Sequence, residues 1–208
     1  MIDQTTLATY LAILLGFVFL PGPAVLLTLA RSSASGSRAG IATGLGIAVG
    51  DMVHTIMAVI GVSAIIYASA FLFTLIKYLG AAYLIYLGLR AIFERASPDL
   101  PTPSAKMSPR AAFRQGLTLE VLNPKSALFF LAFLPQFVVP ANGAVWAQLL
   151  ILGALFVAMG LVATLVVAVG AGRLGALLRR NPTVLRWQGK VVGGIYCGLG
   201  VRLALQER

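Results

Sequence analysis

The chain has 208 residues, of which 59% are hydrophobic and only 11% are charged. Soluble domains carry about 25% charged residues, and a soluble protein of this length could not hide so much apolar surface from water. The composition therefore excludes a soluble enzyme, a disordered chain, a disulfide scaffold and a coiled coil. Because a span of the bilayer core takes about 20 mostly apolar residues, the apolar content matches about six spans of an all-α, polytopic membrane protein.

Six long apolar segments follow one another along the chain. They lie at 6–30, 40–66, 70–92, 111–139, 145–171 and 187–205. The polar stretch 94–110 contains four prolines and is typical of a loop. We expect it to be a linker that joins two three-helix halves, residues 1–93 and 111–208. No Lys or Arg precedes Arg31, so the first segment is predicted to be a retained span and not a cleaved signal peptide.

The basic residues predict the orientation of the chain. The net charge is +10, and the charges lie between apolar segments rather than in a stripe, which argues against nucleic-acid binding. The loops after the second and fourth segments carry no Lys or Arg, and the loops after the other segments carry Arg31, Arg38, Arg90, Arg95, Lys106, Arg110, Arg114, Arg173, Arg179, Arg180 and Arg186. Since cytoplasmic loops are enriched in Lys and Arg, these loops are predicted to be cytoplasmic and both termini to lie outside. Arg202 and Arg208 are the conflicting signals.

The two halves resemble each other. Proline interrupts the first segment at Pro21-Gly22-Pro23 and the fourth at Asn123-Pro124, and Lys77-Tyr78-Leu79-Gly80 of the third segment matches Arg186-Trp187-Gln188-Gly189 of the sixth. Because each half has an odd number of spans, the halves must be inverted relative to each other. Inverted repeats with helices broken at matching positions are typical of transporters, and the breaks indicate the substrate site. Chance similarity between apolar segments is the competing explanation.

The two breaks are candidate substrate-binding elements. Proline removes a backbone donor, and irregular backbone at membrane depth is tolerated where it faces protein or a water-filled cavity. Each resumed half-helix offers free N–H groups and the positive end of its dipole. The ends near Ala24 and Ser126 are therefore suited to a substrate carboxylate. The alternative is a pair of proline kinks packed against neighbouring helices.

Asp51 is the most informative single residue, because it lies within the second apolar segment. A carboxylate in a span costs a few kcal/mol and usually faces the bundle interior or water. His54 and Thr55 follow at positions that share its helical face. The Asp51–His54 pair is a candidate proton relay or substrate-ammonium site, and a purely structural pair is the alternative.

Glu120 and Lys125 flank the second break. A cation just inside a helix N-terminus is locally unfavourable, so Lys125 is expected to need a carboxylate partner from Glu120, Asp51 or a substrate. The alternative is that Lys125 extends to the cytoplasmic interface. The glycines of the second segment, and the phenylalanines at helical spacing in the fourth, favour packing over ligand binding.

These motifs resemble those of the LysE/RhtB family of bacterial amino-acid exporters. The similarity covers nearly the whole chain, and its strongest marker is the stretch from Leu122-Asn123-Pro124-Lys125-Ser126 to Pro135-Gln136-Phe137. The resemblance implies a six-span inner-membrane exporter, a suspected homodimer and export driven by the proton-motive force. It carries the family motifs onto Pro21, Gly22, Pro23, Asp51, Asn123, Pro124 and Lys125. It leaves the substrate open.

The sequence as a whole predicts a proton-coupled exporter of a small zwitterion, with a neutral amino acid favoured. The half-helix ends and Lys125 are expected to hold the substrate carboxylate. Asp51 is expected to hold the substrate ammonium or the coupling proton, and Glu120 and His54 are further candidates for this role. No P-loop, HExxH or GxSxG motif is present, so we expect no cofactor, no metal and no enzyme activity. The rivals are a passive channel, an intramembrane enzyme and a scaffold subunit.

Overall fold

The computed structural model describes residues 2–19, 22–93, 106–180 and 182–205. Every regular element in this part of the chain is helical. The α-helices are α1 (Gln4–Phe19), α2 (Pro23–Ser35), α3 (Ser37–Met57), α4 (Ser63–Ala68), α5 (Ala70–Phe93), α6 (Pro109–Val121), α7 (Pro124–Leu128), α8 (Val145–Arg180) and α9 (Pro182–Leu205). The π-helices Ala58–Val62 and Phe129–Phe133 continue α3 and α7, and the 3₁₀ turns Leu134–Phe137 and Pro140–Asn142 follow.

Three helical stretches are long and apolar enough to cross a membrane, namely Ser37–Ile65, Phe71–Phe93 and Val145–Ala171. The pair α1 and α2 is bent by 48°, and Pro109–Val121 is bent by 45° from Pro124–Phe137. If each bent pair is one span, the described residues contain five. The remaining apolar helix, Gly193–Leu205, is shorter. The prediction of an all-helical membrane protein is confirmed.

Helix α3 is at the centre of the bundle, and glycines let its neighbours approach closely. A Cβ on Gly46 would strike the main chain of Phe113 in α6, and one on Gly116 would strike that of Thr43. Such contacts between small residues are typical of membrane helices. Further along, Gly50 of α3 lies against Glu120 of α6. Later residues of α3 thus contact later residues of α6, and the two helices run parallel.

Helices α3 and α8 run antiparallel, as do α5 and α9. Gly44 of α3 lies against Thr164 of α8, whereas Thr55, eleven residues later, lies against Gly153. In the other pair, Gly88 of α5 meets Gly193 of α9 at the main chain. Gly200, seven residues after Gly193, meets the main chain of Ala81, so the end of α5 lies beside the start of α9.

The basic residues gather at one end of the bundle. Met107, just before α6, donates its N–H to Ser35 Oγ at the end of α2 over 2.9 Å. This contact brings the start of α6, which carries Arg110 and Arg114, to the start of α3, which carries Arg38. Arg38, Arg110 and Arg114 therefore lie at the same end of the bundle.

Several residues predicted to lie in loops are instead helical. Helix α8 extends to Arg180 and α9 begins at Pro182, so the predicted basic loop between the fifth and sixth segments is mostly helix. Arg and Leu are good helix formers, and proline suits the first position of a helix. Arg31 lies within α2, is 6% exposed and does not lie in a loop. The linker also ends earlier than predicted, since α6 begins at Pro109; its residues 94–105 lie outside the described part.

Candidate substrate site between the two helix breaks

The start of α2 and the second break meet at one cavity. The cavity has a volume of about 50 Å³, which is room for a few water molecules. Its polar side chains come from α3, α6, α7 with its N-cap, and α8, and are Asp51, Glu120, Asn123, Lys125, Ser126 and Thr164. The rest of the wall is apolar or small and includes Phe17, Gly22, Pro23, Ala24, Ile47, Phe156 and Gly160.

Gly22 and Lys125 join the two breaks directly. A Cβ on Gly22 would lie 3.1 Å from Nζ of Lys125, a distance at which one of the two groups must move. Gly22 also precedes Pro23 as the N-cap of α2, and no side chain caps that end through a hydrogen bond. Glycine therefore lets the lysine ammonium reach the uncapped start of α2.

The Lys125 ammonium is held by aromatic rings. Nζ lies 4.1 Å from the ring centroid of Phe17 and 5.2 Å from that of Tyr196. Within the described part of the chain, Lys125 forms no ion pair. A desolvated cation gains about 2 kcal/mol or more over such a ring face. The predicted alternative, extension to the cytoplasmic interface, is wrong for this conformation, since the side chain points inward between α1 and α9.

The second break is organised around the carboxylate of Glu120. Asn123 Nδ2 donates to Glu120 Oε1 over 3.1 Å, and the hydroxyl of Ser126 donates to the same oxygen. Asn123 Oδ1 in turn accepts the N–H of Lys125 over 3.1 Å. Because Asn123 caps α7, this half-helix is less open to a substrate carboxylate than the sequence predicts.

Asp51 faces Glu120 across the cavity. Their carboxyl groups are close enough for a side-chain hydrogen bond if one of them is protonated. Asp51 is 2% exposed, and its Oδ1 and the Oε2 of Glu120 have no other hydrogen-bond partner among the described residues. Two ionised carboxylates in this position would repel each other, so the pair is suited to hold one proton.

His54 has a structural contact that the sequence did not predict. Its Nε2 lies 2.9 Å from the main-chain oxygen of Glu120, and its ring stacks on Phe130. In an unbroken helix that oxygen would accept the N–H of the residue four positions later. This residue is Pro124, which has no N–H. His54 therefore supplies a donor where the proline removes one.

Most of the predicted site residues come together. Gly22, Pro23, Ala24, Asp51, Glu120, Asn123, Lys125 and Ser126 line the cavity. His54 and Pro124 do not line it and instead shape the break, and Pro21 lies outside the described residues.

Two groups of residues at the site were not predicted. Phe17 and Tyr196 contact the lysine ammonium, and Phe156 and Gly160 line the cavity. In an apolar helix their residue types give no signal of which face is internal. The phenylalanines of the fourth segment, in contrast, are buried and pack together with Phe17 and Phe156, as predicted.

The described residues thus form a helical bundle in which two proline breaks surround a half-buried lysine and two buried carboxylates. The family model of the LysE type translocator matches residues 15–207. The chain belongs to the LysE type translocator family. This translocator is therefore a membrane transport protein and not an enzyme.

Curated relatives match this translocator over most of its length. An uncharacterized membrane protein of Vibrio cholerae is 31% identical over 94% of both chains. One of Pseudomonas aeruginosa is 33% identical over 94% of this chain and 93% of its own. The homoserine/homoserine lactone efflux protein of Salmonella typhimurium is 29% identical over 88% of both chains. No solved structure matches the chain. Together the relatives place this translocator among bacterial membrane proteins.

Proposed function

We propose that this translocator exports small zwitterions with the composition of a neutral amino acid. The observation that carries the proposal is that one cavity brings together the ammonium of Lys125 and the carboxyl groups of Asp51 and Glu120. A zwitterion has a carboxylate that can pair with the lysine ammonium and an ammonium that can pair with the carboxyl groups. A buried ionisable group in a membrane helix typically marks a substrate or proton pathway.

The carboxylate of the substrate binds near Lys125 and the start of α2. Lys125 forms no ion pair within the described residues, so it is available to an anion. The uncapped start of α2 adds the positive end of a helix dipole. The N-terminus of α7 contributes less, because Asn123 already accepts the N–H of Lys125.

The substrate ammonium and the coupling proton compete for the two carboxyl groups. When the ammonium leaves, a proton takes its place between Asp51 and Glu120, which avoids repulsion between two buried carboxylates. This exchange couples export of the zwitterion to inward movement of a proton. His54 supports it indirectly, by holding the main chain of Glu120 in place.

Alternating access moves the two halves of the chain around this cavity. The antiparallel directions of α3 with α8 and of α5 with α9 are those that an inverted repeat requires. The clustered basic residues favour the bacterial inner membrane with that end of the bundle in the cytoplasm. The Salmonella relative named as a homoserine efflux protein supports an amino-acid-like substrate.

The deciding experiment measures uptake of labelled homoserine, threonine and leucine into proteoliposomes, with and without an imposed pH gradient. Saturable uptake that the gradient accelerates and that unlabelled substrate on the opposite side stimulates would support a proton-coupled carrier. Linear uptake without such stimulation would favour a passive channel. Absence of uptake by correctly folded protein would reject the neutral zwitterion as substrate.

A further inference from the structure

A buried cation of α2 lies apart from the cavity. Arg31 of α2 is 6% exposed, and its Nε donates to Gln115 Oε1 of α6 over 2.6 Å. The guanidinium has five N–H donors, and this is the one hydrogen bond that the described residues give it. No acidic side chain of the described residues pairs with it. A buried cation without an anion is costly, and inside a membrane protein it typically marks a pathway for charged solutes.

Arg31 is aligned with the cavity along one face of α2. Ala24 lines the cavity, and Thr28 and Arg31 follow it at spacings of four and three residues, which keeps them on the same helical face. The rise of an α-helix places Arg31 about 10 Å from Ala24 along the axis. Thr28 is fully buried between them. The direction from Ala24 to Arg31 is towards the end of the bundle where the basic residues gather.

The space between the cavity and this end is closed by small residues. Gly44 packs on Thr164, and Gly116 packs on Thr43, so closely that neither glycine has room for a Cβ. Nearby, the Oγ of Ser32 is buried, and no described residue forms a hydrogen bond with it. A substrate that moved along this face of α2 from the basic end to the cavity would have to separate these contacts and pass Arg31.

We propose that Arg31, held by Gln115, forms a separate carboxylate-binding site on the substrate path at the basic end of the bundle. This inference rests on the proposed function and adds a second binding site to the proposed transport path. There the guanidinium binds the substrate carboxylate before Lys125 does. Gln115 is suited to this role because its neutral amide holds Nε in place without neutralising the cation.

The first test asks whether Arg31 accepts a carboxylate, and it needs no substrate. In Gln115→Glu the side chain places a carboxylate oxygen where Gln115 Oε1 now accepts from Nε. We expect this variant to raise the melting temperature of the purified protein by about 2–4 °C, and to lose the gain when Arg31→Gln is also present. Equal shifts with and without Arg31 would overturn the proposal.

The second test asks whether the substrate uses the site. Uptake of homoserine and threonine is measured in right-side-out and inverted membrane vesicles for wild type, Arg31→Gln, Arg31→Lys and Gln115→Glu. We expect Arg31→Gln and Gln115→Glu to raise KM about tenfold or more from one side only, with Arg31→Lys in between. Threonine amide has no carboxylate for Lys125 or Arg31, so we expect only slow uptake of the amide, and this residual uptake should be insensitive to the changes at Arg31 and Gln115.

Unchanged KM from both sides, or an equal loss for the amide, would overturn the proposal while leaving the proposed function intact. If wild-type vesicles transport neither amino acid, the proposed function fails for these substrates, and the thermal test still decides whether Arg31 takes a carboxylate. Glu94→Gln and Asp99→Asn, at positions outside the described residues, are the controls for an internal partner. A KM effect from either that matches Arg31→Gln would assign Arg31 to an internal ion pair and overturn the proposal.

Discussion

Gly22 and Lys125 are in contact although 103 positions separate them in the sequence. A Cβ on Gly22 would lie 3.1 Å from the lysine Nζ. The start of α2 and the ammonium of Lys125 therefore form one structural unit. The contact explains why a glycine stands between two prolines at the first break. It also means that the position of Lys125 depends on a residue in the other half of the chain.

Gly22→Ala should therefore displace the ammonium and impair transport more than it impairs folding. The ammonium must give way by a few tenths of an ångström. Since a displacement of about 1 Å at a binding group can cost about 100-fold in rate, we expect a loss of about two- to tenfold. The measurement is the initial rate of homoserine uptake together with the melting temperature. Gly16→Ala is the matched control, because a Cβ there meets nothing within 4 Å. Equal uptake by the two variants would contradict the role of the contact.

Tyr196 is expected to hold Lys125 through its ring and not through its hydroxyl. Tyr196→Leu removes the ring face that lies 5.2 Å from Nζ. We expect this loss to weaken substrate binding by about 1 kcal/mol, which corresponds to roughly a fivefold rise in KM. Tyr196→Phe keeps the ring and should retain the wild-type KM. If the phenylalanine variant is as impaired as the leucine variant, the hydroxyl is the important group.

Asp51 and Glu120 should act as a unit in coupling. Because they face each other and can share one proton, Asp51→Asn and Glu120→Gln should each abolish the acceleration of uptake by a pH gradient. The double variant should be little worse than either single variant, since effects of groups in direct contact do not add. Asp3→Asn, which changes an exposed carboxylate before α1, should keep the acceleration.

Retained acceleration by the gradient in Asp51→Asn would remove Asp51 from the coupling mechanism. Retention in Glu120→Gln alone would assign the proton to Asp51 and leave Glu120 with the Asn123 and Ser126 network. The two single variants thus separate a shared proton from one held by a single carboxyl group.

Much of this site was predictable from the sequence because charged residues and prolines are tolerated at only a few positions in a membrane helix. A carboxylate such as Asp51 must face the interior, and a proline such as Pro124 must break the hydrogen-bond ladder. Phe17 and Tyr196 could not be assigned, since an aromatic residue in an apolar helix suits lipid and core equally. The sequence also placed Arg31 in a loop, because the apolar pattern ends before α2 does.

Variants of His54 can distinguish a structural role of this histidine from a role in proton transfer. Its Nε2 donates to the main-chain oxygen of Glu120, which also accepts the N–H of Asn123 over 3.0 Å. His54→Leu removes the first donor, and we expect a loss of about 1 kcal/mol in the free energy of unfolding. His54→Gln can still donate from its amide and should recover most of that loss. Neither variant should change how uptake depends on pH, because the histidine does not line the cavity. A shifted pH profile in the stable glutamine variant would place His54 on the proton path, and the Glu120 carbonyl would then be only its anchor.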